Sequence, residues 1–175
     1  MSNDTIFLYS TIVALLSIVA LVAAAGLLVF RLVKGPDAGE LLGVRAVWLA
    51  WLVALTATVG SLIYSEVIHF EPCRLCWFQR IAMYPMAIVL LVGAIRREFQ
   101  VKYYALPLAL AGLGVSIYHY LMQVFPSLEG GSCGAVSCSA RLVEIFGFIS
   151  IPFMAGSGFM VIAVLLGIYV NKNSV

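Results

Sequence analysis

Charge is what this sequence has least of: 10% of its 175 residues are Asp, Glu, Lys or Arg, where a soluble domain carries about 25%. With 63% hydrophobic residues and a mean hydropathy of +1.09, a chain of this size cannot bury its apolar surface in one aqueous core, so a bilayer must solvate most of it. Dense blocks of Lys and Arg are also missing, which sets nucleic-acid binding aside. No internal repeat or low-complexity tract is present. The opening stretch MSNDTIF has no Lys or Arg, so the basic region of a secretory signal peptide is lacking. The apolar run that follows is too long for a signal core, despite the cleavage-like Val22-Ala23-Ala24-Ala25-Gly26, and reads as a retained span.

What is there in quantity is apolar sequence, in five segments: Ile6 to Phe30, Ala46 to Ile68, Leu75 to Ile95, Tyr103 to Phe125 and Ile151 to Val170. Each is close to the ~20 residues a helix needs to cross the hydrocarbon core. Strands of a membrane barrel would be about half as long and alternate in polarity. The expectation is an all-helical integral membrane protein. Arg31, Lys34, Arg45, Arg96, Arg97, Lys102 and Lys172 flank one side of these spans, against Arg74, Arg80 and Arg141 on the other. Basic residues stay in the cytoplasm, so the amino terminus is placed outside and the carboxyl terminus inside. The turn residues of Lys34-Gly35-Pro36-Asp37-Ala38-Gly39 divide residues 1–45, a span with a cytoplasmic linker, from 46–175. On the outer side, residues 126–134 read as a flexible loop. Arg141 to Ile149, with Arg141 and Glu144 three apart among apolar residues, reads as a short surface helix. Ser150-Ile151-Pro152 reads as the cap and first turn of the last span.

All four cysteines fall on the outer side, Cys73 and Cys76 as C-x-x-C and Cys133 and Cys138 as C-x4-C. A single membrane cysteine would read as a small buried hydrophobe; two close pairs in an oxidising setting read as disulfides for part of the time. Such short loops gain little stability from closure, so redox chemistry suits them better than stapling. A four-thiolate zinc site has permissible spacing, but Cys76 runs directly into Trp77-Phe78 and a span rather than a polar knuckle. A helix beginning near Leu75 places Cys76 in its first turn, where free N–H groups and the dipole favour a thiolate, so Cys76 is expected to ionise readily. Arg80, one turn deeper on the same face, can stabilise negative charge on that sulfur or on a reduced acceptor; the alternative is an arginine that snorkels to headgroups. A lipid-soluble acceptor fits chemistry at a helix end. A quinone would find aromatic walls in Trp77, Phe78, Tyr84, Tyr118 and Tyr120, residues that otherwise form an interfacial belt. His119 either donates to a quinone oxygen or satisfies a carbonyl.

The run EPCRLCWFQR (Glu71 to Arg80) followed by IAMYP, then YHYLMQVFPS (Tyr118 to Ser127), CGAVSC (Cys133 to Cys138) and FGFISIPF (Phe146 to Phe153), resembles the disulfide-bond formation protein B (DsbB) family. The resemblance covers about residues 46–170 and keeps the family's motif order. It implies a four-helix transmembrane bundle that reoxidises a thioredoxin-like thiol oxidase of the DsbA type and reduces ubiquinone or menaquinone. By that resemblance Cys73 and Cys76 form the quinone-side pair, Arg80 and His119 match the family's arginine and histidine, and Cys133 and Cys138 form the partner-facing pair; Trp77 is added to the quinone contacts. The first span has no counterpart in the four-helix core, and the C-x4-C spacing resembles the Gram-positive BdbC-type branch. Vitamin K epoxide reductase-like proteins also couple C-x-x-C to quinones, but with the two pairs in the reverse order. The non-enzymatic rival is a membrane anchor or assembly factor with structural disulfides or bound zinc.

Within this reading Cys76 faces the quinone and Cys73 exchanges with the outer pair. Gly130, Gly131 and Gly134 open Cys133 to the partner, and Cys138 passes the electrons inward to Cys73. Because all these residues lie beyond the Gly/Pro linker, a chain beginning near Gly43 is expected to insert correctly and keep thiol oxidation. A correctly inserted truncation with no thiol oxidation would refute this, as read by acid-trapped thiol counts.

Overall fold

The computed structural model describes residues 3–34, 43, 45–98, 100–129, 133 and 136–168. Five helices long and apolar enough to cross a membrane make up most of it: α1 (Asn3–Lys34), α2 (Arg45–Leu62), α3 (Arg74–Arg96), α4 (Val101–Val124) and α5 (Ile151–Ile168). The protein is therefore an all-helical, multi-pass membrane protein, as its apolar runs predict. Gly35 to Gly39, Gly130, Gly131, Gly134 and Lys172, which the sequence reading used for the linker, the open loop and the inner charge, lie outside the described residues.

Helices α2, α3, α4 and α5 pack in a ring, and α1 lies against the outside of α5. The shared core is built from small and branched side chains, among them Ala50, Ala54, Met86, Leu90, Ala105, Ala109, Ile162 and Leu166. Without a hydrophobic drive between helices in lipid, close approach of small residues is what lets the bundle gain dispersion contacts. The tightest approach is at Gly112 of α4, where an added Cβ would run into the ring of Phe159 from α5. Overpacking of this kind costs about 1–3 kcal/mol. A similar contact at Gly93, against Val101, fits α3 to the start of α4.

At its C-terminal end α2 widens into a π turn, Ile63–Val67, before His69 turns the chain with φ 63°. Tyr64 there stacks on Phe70, meets Tyr9 of α1 edge-on and donates to the Ser10 hydroxyl at 3.1 Å. Tyr9 in turn donates to the Gly60 carbonyl. Ala14 joins the same buried group with Val143, Ile145 and Ile149. Thus α1 covers the end of the bundle where α2 stops and contacts more than α5 alone, although it carries none of the candidate site residues.

The surface helix expected at 141–149 does not form. Phe146 and Gly147 both have left-handed φ, 54° and 76°, which no helix accommodates. Ile145 and Ile149 instead exchange both backbone hydrogen bonds, at 2.9 and 3.0 Å, across a tight turn. Arg141 and Glu144 still form their ion pair, N to O 3.1 Å, across a bend at Leu142 rather than along a helix face. α5 starts at Ile151 with Pro152 in its first turn, as expected, and the Ser150 carbonyl accepts the Met154 N–H, but the buried Ser150 hydroxyl has no hydrogen-bond partner among the described residues.

Candidate functional site: two cysteine pairs around a buried histidine

The site assembles where the start of α3 and the end of α4 meet the segment between α4 and α5. Cys73 is the N-cap of α3: its φ and ψ of −68° and 170° are extended, and its sulfur accepts the Cys76 backbone N–H at 3.4 Å. A sulfur thus takes the place that Ser or Asp occupies at ordinary helix starts. The two sulfurs of this pair lie 3.1 Å apart and share a hydrogen bond; both cysteines are free. Cys133 and Cys138 form a disulfide. All four come from the expected loops, but two of them are bonded to one another, so a four-thiolate site does not exist in this arrangement.

His119 connects the pairs. It is 2% exposed, and its Nε2 lies 3.6 Å from Cys73 Sγ and 3.1 Å from the Cys138 carbonyl oxygen. The amide nitrogen of Gln79, itself buried on α3, lies 3.5 Å from the other ring nitrogen. An amide N–H donating to Nδ1 leaves the ring proton on Nε2, where it can serve the carbonyl and the Cys73 sulfur. The bland option for His119, satisfying a carbonyl, is therefore realised, and the same nitrogen also meets a redox sulfur. Cys73, Cys133 and Cys138 share a buried cluster with Met122.

The electrostatics modify the sequence reading at the first pair. The sulfur that collects donors at the helix start is Cys73, because the cap position faces the free N–H groups while Cys76 has already entered the turn. Its thiol is held well below the ordinary range, first by hydrogen bonding from the Cys76 thiol, then by His119 and the Cys76 N–H, against the opposing effect of burial. The readily ionised sulfur is thus Cys73, whereas the first-turn argument had chosen Cys76.

Arg80 points away from His119. Its Nε and Nη2 donate to the Ser61 hydroxyl and carbonyl at 3.0 and 3.1 Å, and Tyr84 donates to the same hydroxyl. Trp77, 53% exposed, places its ring 5.3 Å from the guanidinium carbon. The five aromatic residues expected to wall one slot are divided. Trp77 and Tyr84 accompany Arg80; Phe78 and Tyr118 border a cavity of about 130 Å³ that reaches Cys133; Tyr120 donates to the Phe148 carbonyl and packs on Phe153. Helix spacing alone could not reveal this division, since it depends on which neighbour each face meets.

The return segment is gripped by α4 and by a carboxylate that the sequence reading missed. Gln123 Nε2 donates to the Ala140 carbonyl at 3.3 Å, and Arg141 donates to the Gln123 carbonyl at 3.1 Å. Glu129 accepts the Cys138 N–H at 2.9 Å and the Ser137 hydroxyl at 2.8 Å. Hydrogen bonds from Ser139 and Ser137 hold its carboxyl below the usual range. No periodicity marks Glu129, and Gln79 is hidden within a run of bulkier motif residues; a polar side chain on the buried face of a span was the available signal for the latter.

A family model described as disulfide bond formation protein DsbB matches residues 44–169, a stretch that begins after α1. The chain is 44% identical over 115 residues to the probable disulfide formation protein C of Halalkalibacterium halodurans, spanning 65% of this chain and 84% of that protein. It is 40% identical over 129 residues to the disulfide bond formation protein C of Bacillus subtilis, spanning 73% and 94%. Identity to a probable disulfide formation protein of Chlamydia trachomatis is 41% over 119 residues, spanning 68% and 87%. No solved structure matches the chain.

The lowered thiol pKa of Cys73 has a directional consequence. Its thiolate should persist as pH falls below the ordinary thiol value of about 8.5, so alkylation should stay fast at neutral pH and decline only in more acidic solution. In the full chain carrying Cys133→Ser and Cys138→Ser, mass mapping of alkylated Cys73 across pH reads this directly. His119→Ala removes one of the stabilising contacts and should move the decline to higher pH. A profile for the His119-containing chain centred at the ordinary thiol value would refute the assignment.

Proposed function

The chain belongs to the DsbB family of disulfide bond formation proteins and acts in disulfide formation; from that premise we propose that it is a membrane thiol:quinone oxidoreductase that reoxidises a thioredoxin-like, DsbA-type thiol oxidase outside the cytoplasm. The observation that carries this reading is the shared contact at His119 Nε2, which meets the Cys73 sulfur on one side and the Cys138 carbonyl on the other. Two redox pairs held this close can exchange without a large rearrangement. The bias of basic residues toward the opposite side of the spans supports an extracytoplasmic position for both pairs.

The proposed exchange begins with both pairs oxidised and a reduced partner. A partner thiolate attacks Cys133 Sγ, breaking the Cys133–Cys138 bond and releasing Cys138 as a thiolate; the cavity of about 130 Å³ beside the buried Cys133 supplies an approach. The partner's second thiolate then displaces Cys133 and leaves with its own disulfide formed. Cys138 attacks Cys73, releasing Cys76, and Cys133 next attacks Cys138, releasing Cys73. Two electrons and two protons have moved from the partner to Cys73 and Cys76, which matches the distribution of bonded outer and free inner sulfurs described above. Stabilisation of the Cys73 thiolate by its cap position and His119 favours the reduced inner pair, and so draws electrons inward.

The residues around Arg80 suit a quinone of either type, menaquinone or ubiquinone. Trp77 offers an apolar face at the lipid boundary, and Arg80, anchored to Ser61, offers a fixed cation four residues from Cys76. A bound quinone would supply a two-electron, two-proton acceptor. Arg80 holds positive charge where negative charge develops, Trp77 excludes water, and Cys76 is the sulfur on that side of the helix turn. His119, turned toward Cys73 and Cys138, is proposed to serve the thiol exchange, which replaces its earlier place among the quinone contacts.

The deciding experiment measures quinone reduction by the purified protein with a reduced DsbA-type donor. Cys76→Ser should abolish it; a normal rate in that variant would end the assignment. A donor lacking its second cysteine cannot displace Cys133, so it should accumulate as a mixed disulfide with Cys133 of the intact protein, and trapped complexes joined instead through Cys73 or Cys76 would overturn the order. Arg80→Ala should lower kcat/KM for quinone by about 10²-fold, the scale of losing one oriented charge-stabilising donor. Arg80→Lys should recover part of it, since a point charge lacks the planar fork. Unchanged quinone dependence in both variants would leave Arg80 an anchor.

A further inference from the structure

The reduced inner pair has a third neighbour with metal-ligating chemistry. Cys73 Sγ, Cys76 Sγ and a His119 ring nitrogen all lie within 4.8 Å of one another. We propose that reduced Cys73 and Cys76, with His119, form a binding site for a thiophilic divalent cation, and that occupation locks the pair in its reduced form. This inference does not rest on quinone as the acceptor; it needs only that the pair can be reduced.

The geometry comes close to what such an ion requires. With metal–sulfur bonds of about 2.3 Å and metal–nitrogen bonds of about 2.0–2.1 Å, a tetrahedral site places sulfur about 3.5 Å from nitrogen and about 3.8 Å from the second sulfur. Cys73 Sγ already lies 3.6 Å from His119 Nε2. The sulfurs, 3.1 Å apart, need to separate by less than about 1 Å, and Cys76 Sγ, within 4.8 Å of the ring nitrogen, turns toward it to about 3.5 Å. A cavity of about 20 Å³ borders Cys73, Cys76 and His119, which is room for one water as a fourth ligand. Two Cys, one His and an exchangeable water are a donor set that zinc or cadmium accepts.

The second ring nitrogen fits the same role. A His that ligates through Nε2 must carry its proton on Nδ1 and donate it to an acceptor. Gln79 faces that atom at 3.5 Å, and its amide, turned over, presents oxygen instead of NH₂. Metal binding would therefore exchange the Nε2 contact with the Cys138 carbonyl for a metal bond, while Gln79 keeps the ring in place. Both thiols lose their protons to solvent, the ion gains two thiolate ligands, and no electrons move. Because a Cys73–Cys76 disulfide has no thiolate to offer, the ion binds the reduced form alone and opposes its oxidation by mass action.

Cadmium is a suitable probe, since sulfur-to-cadmium charge transfer is seen in the ultraviolet without any need for activity. The full chain with Cys133→Ser and Cys138→Ser, in which the outer sulfurs cannot contribute, should bind one equivalent when reduced and none when oxidised. His119→Gln should weaken binding at least tenfold while leaving the charge-transfer band of a dithiolate. With free cadmium at ten times its dissociation constant, reoxidation of the reduced pair should slow about tenfold. Equal binding by the oxidised chain or by Cys73→Ser would place the ion elsewhere and overturn the proposal. Unchanged affinity in His119→Gln would also overturn it, by reducing the site to a bare dithiol.

Discussion

A helix that starts on a cysteine, beneath a buried histidine, is the constraint on which the rest of the site depends. Cys73 caps α3, so its sulfur is fixed by the backbone geometry rather than by a freely rotating side chain. His119 then fixes how α4 and the segment bearing Cys138 sit above that cap. In water such contacts would contribute little, but at 2% exposure there is no solvent to replace them, and each unmade hydrogen bond would leave a buried polar group unpaired. The arrangement is thus enforced from both sides: the bilayer demands helices, and the helix ends demand partners for their free N–H groups and carbonyls.

That demand also explains which parts of the molecule were legible in the sequence. The five spans could be read because a hydrocarbon core leaves a chain little choice over some twenty apolar residues. The cysteines and His119, which the fold brings together, stand out in the sequence because polar residues are scarce in such a background, and Arg80 stands out in the same way. The turn at 145–149 could not. Its apolar residues and the spacing of Arg141 and Glu144 suit a helix locally, and what decides against one is tertiary: Tyr120 from α4 takes the Phe148 carbonyl, while Ile145 and Ile149 are drawn into the cluster with Tyr64 and Ala14. Local propensity lost to burial against the ends of α1 and α2.

The distinction between Cys73 and Cys76 failed in the sequence reading for a narrower reason. The boundary of a helix cannot be set from composition to better than a residue or two, and at an N-terminus one residue separates the cap, which receives the N–H groups, from the turn, which supplies them. Moving the start from Leu75 to Arg74 transferred the favoured thiolate from the second cysteine to the first. Gln79 and Glu129 escaped notice because their roles depend on partners distant in sequence: His119 is forty residues from Gln79, and the Cys138 N–H is nine from Glu129.

The first two turns of α3 therefore present two different environments. Toward α4, Cys73 and Gln79 face His119 and the Cys133–Cys138 disulfide in a buried setting, while toward α2 Arg80 is tied to Ser61 beside the half-exposed Trp77. Proton and thiolate chemistry needs fixed donors and excluded water, and an acceptor that diffuses in lipid needs an open side. A single buried pocket would satisfy the first and obstruct the second. On the proposed reading, C-x-x-C at a helix start resolves the conflict because its two sulfurs are adjacent in space yet belong to a cap and a first turn, so electrons pass from a closed side to an open one across a single sulfur–sulfur bond.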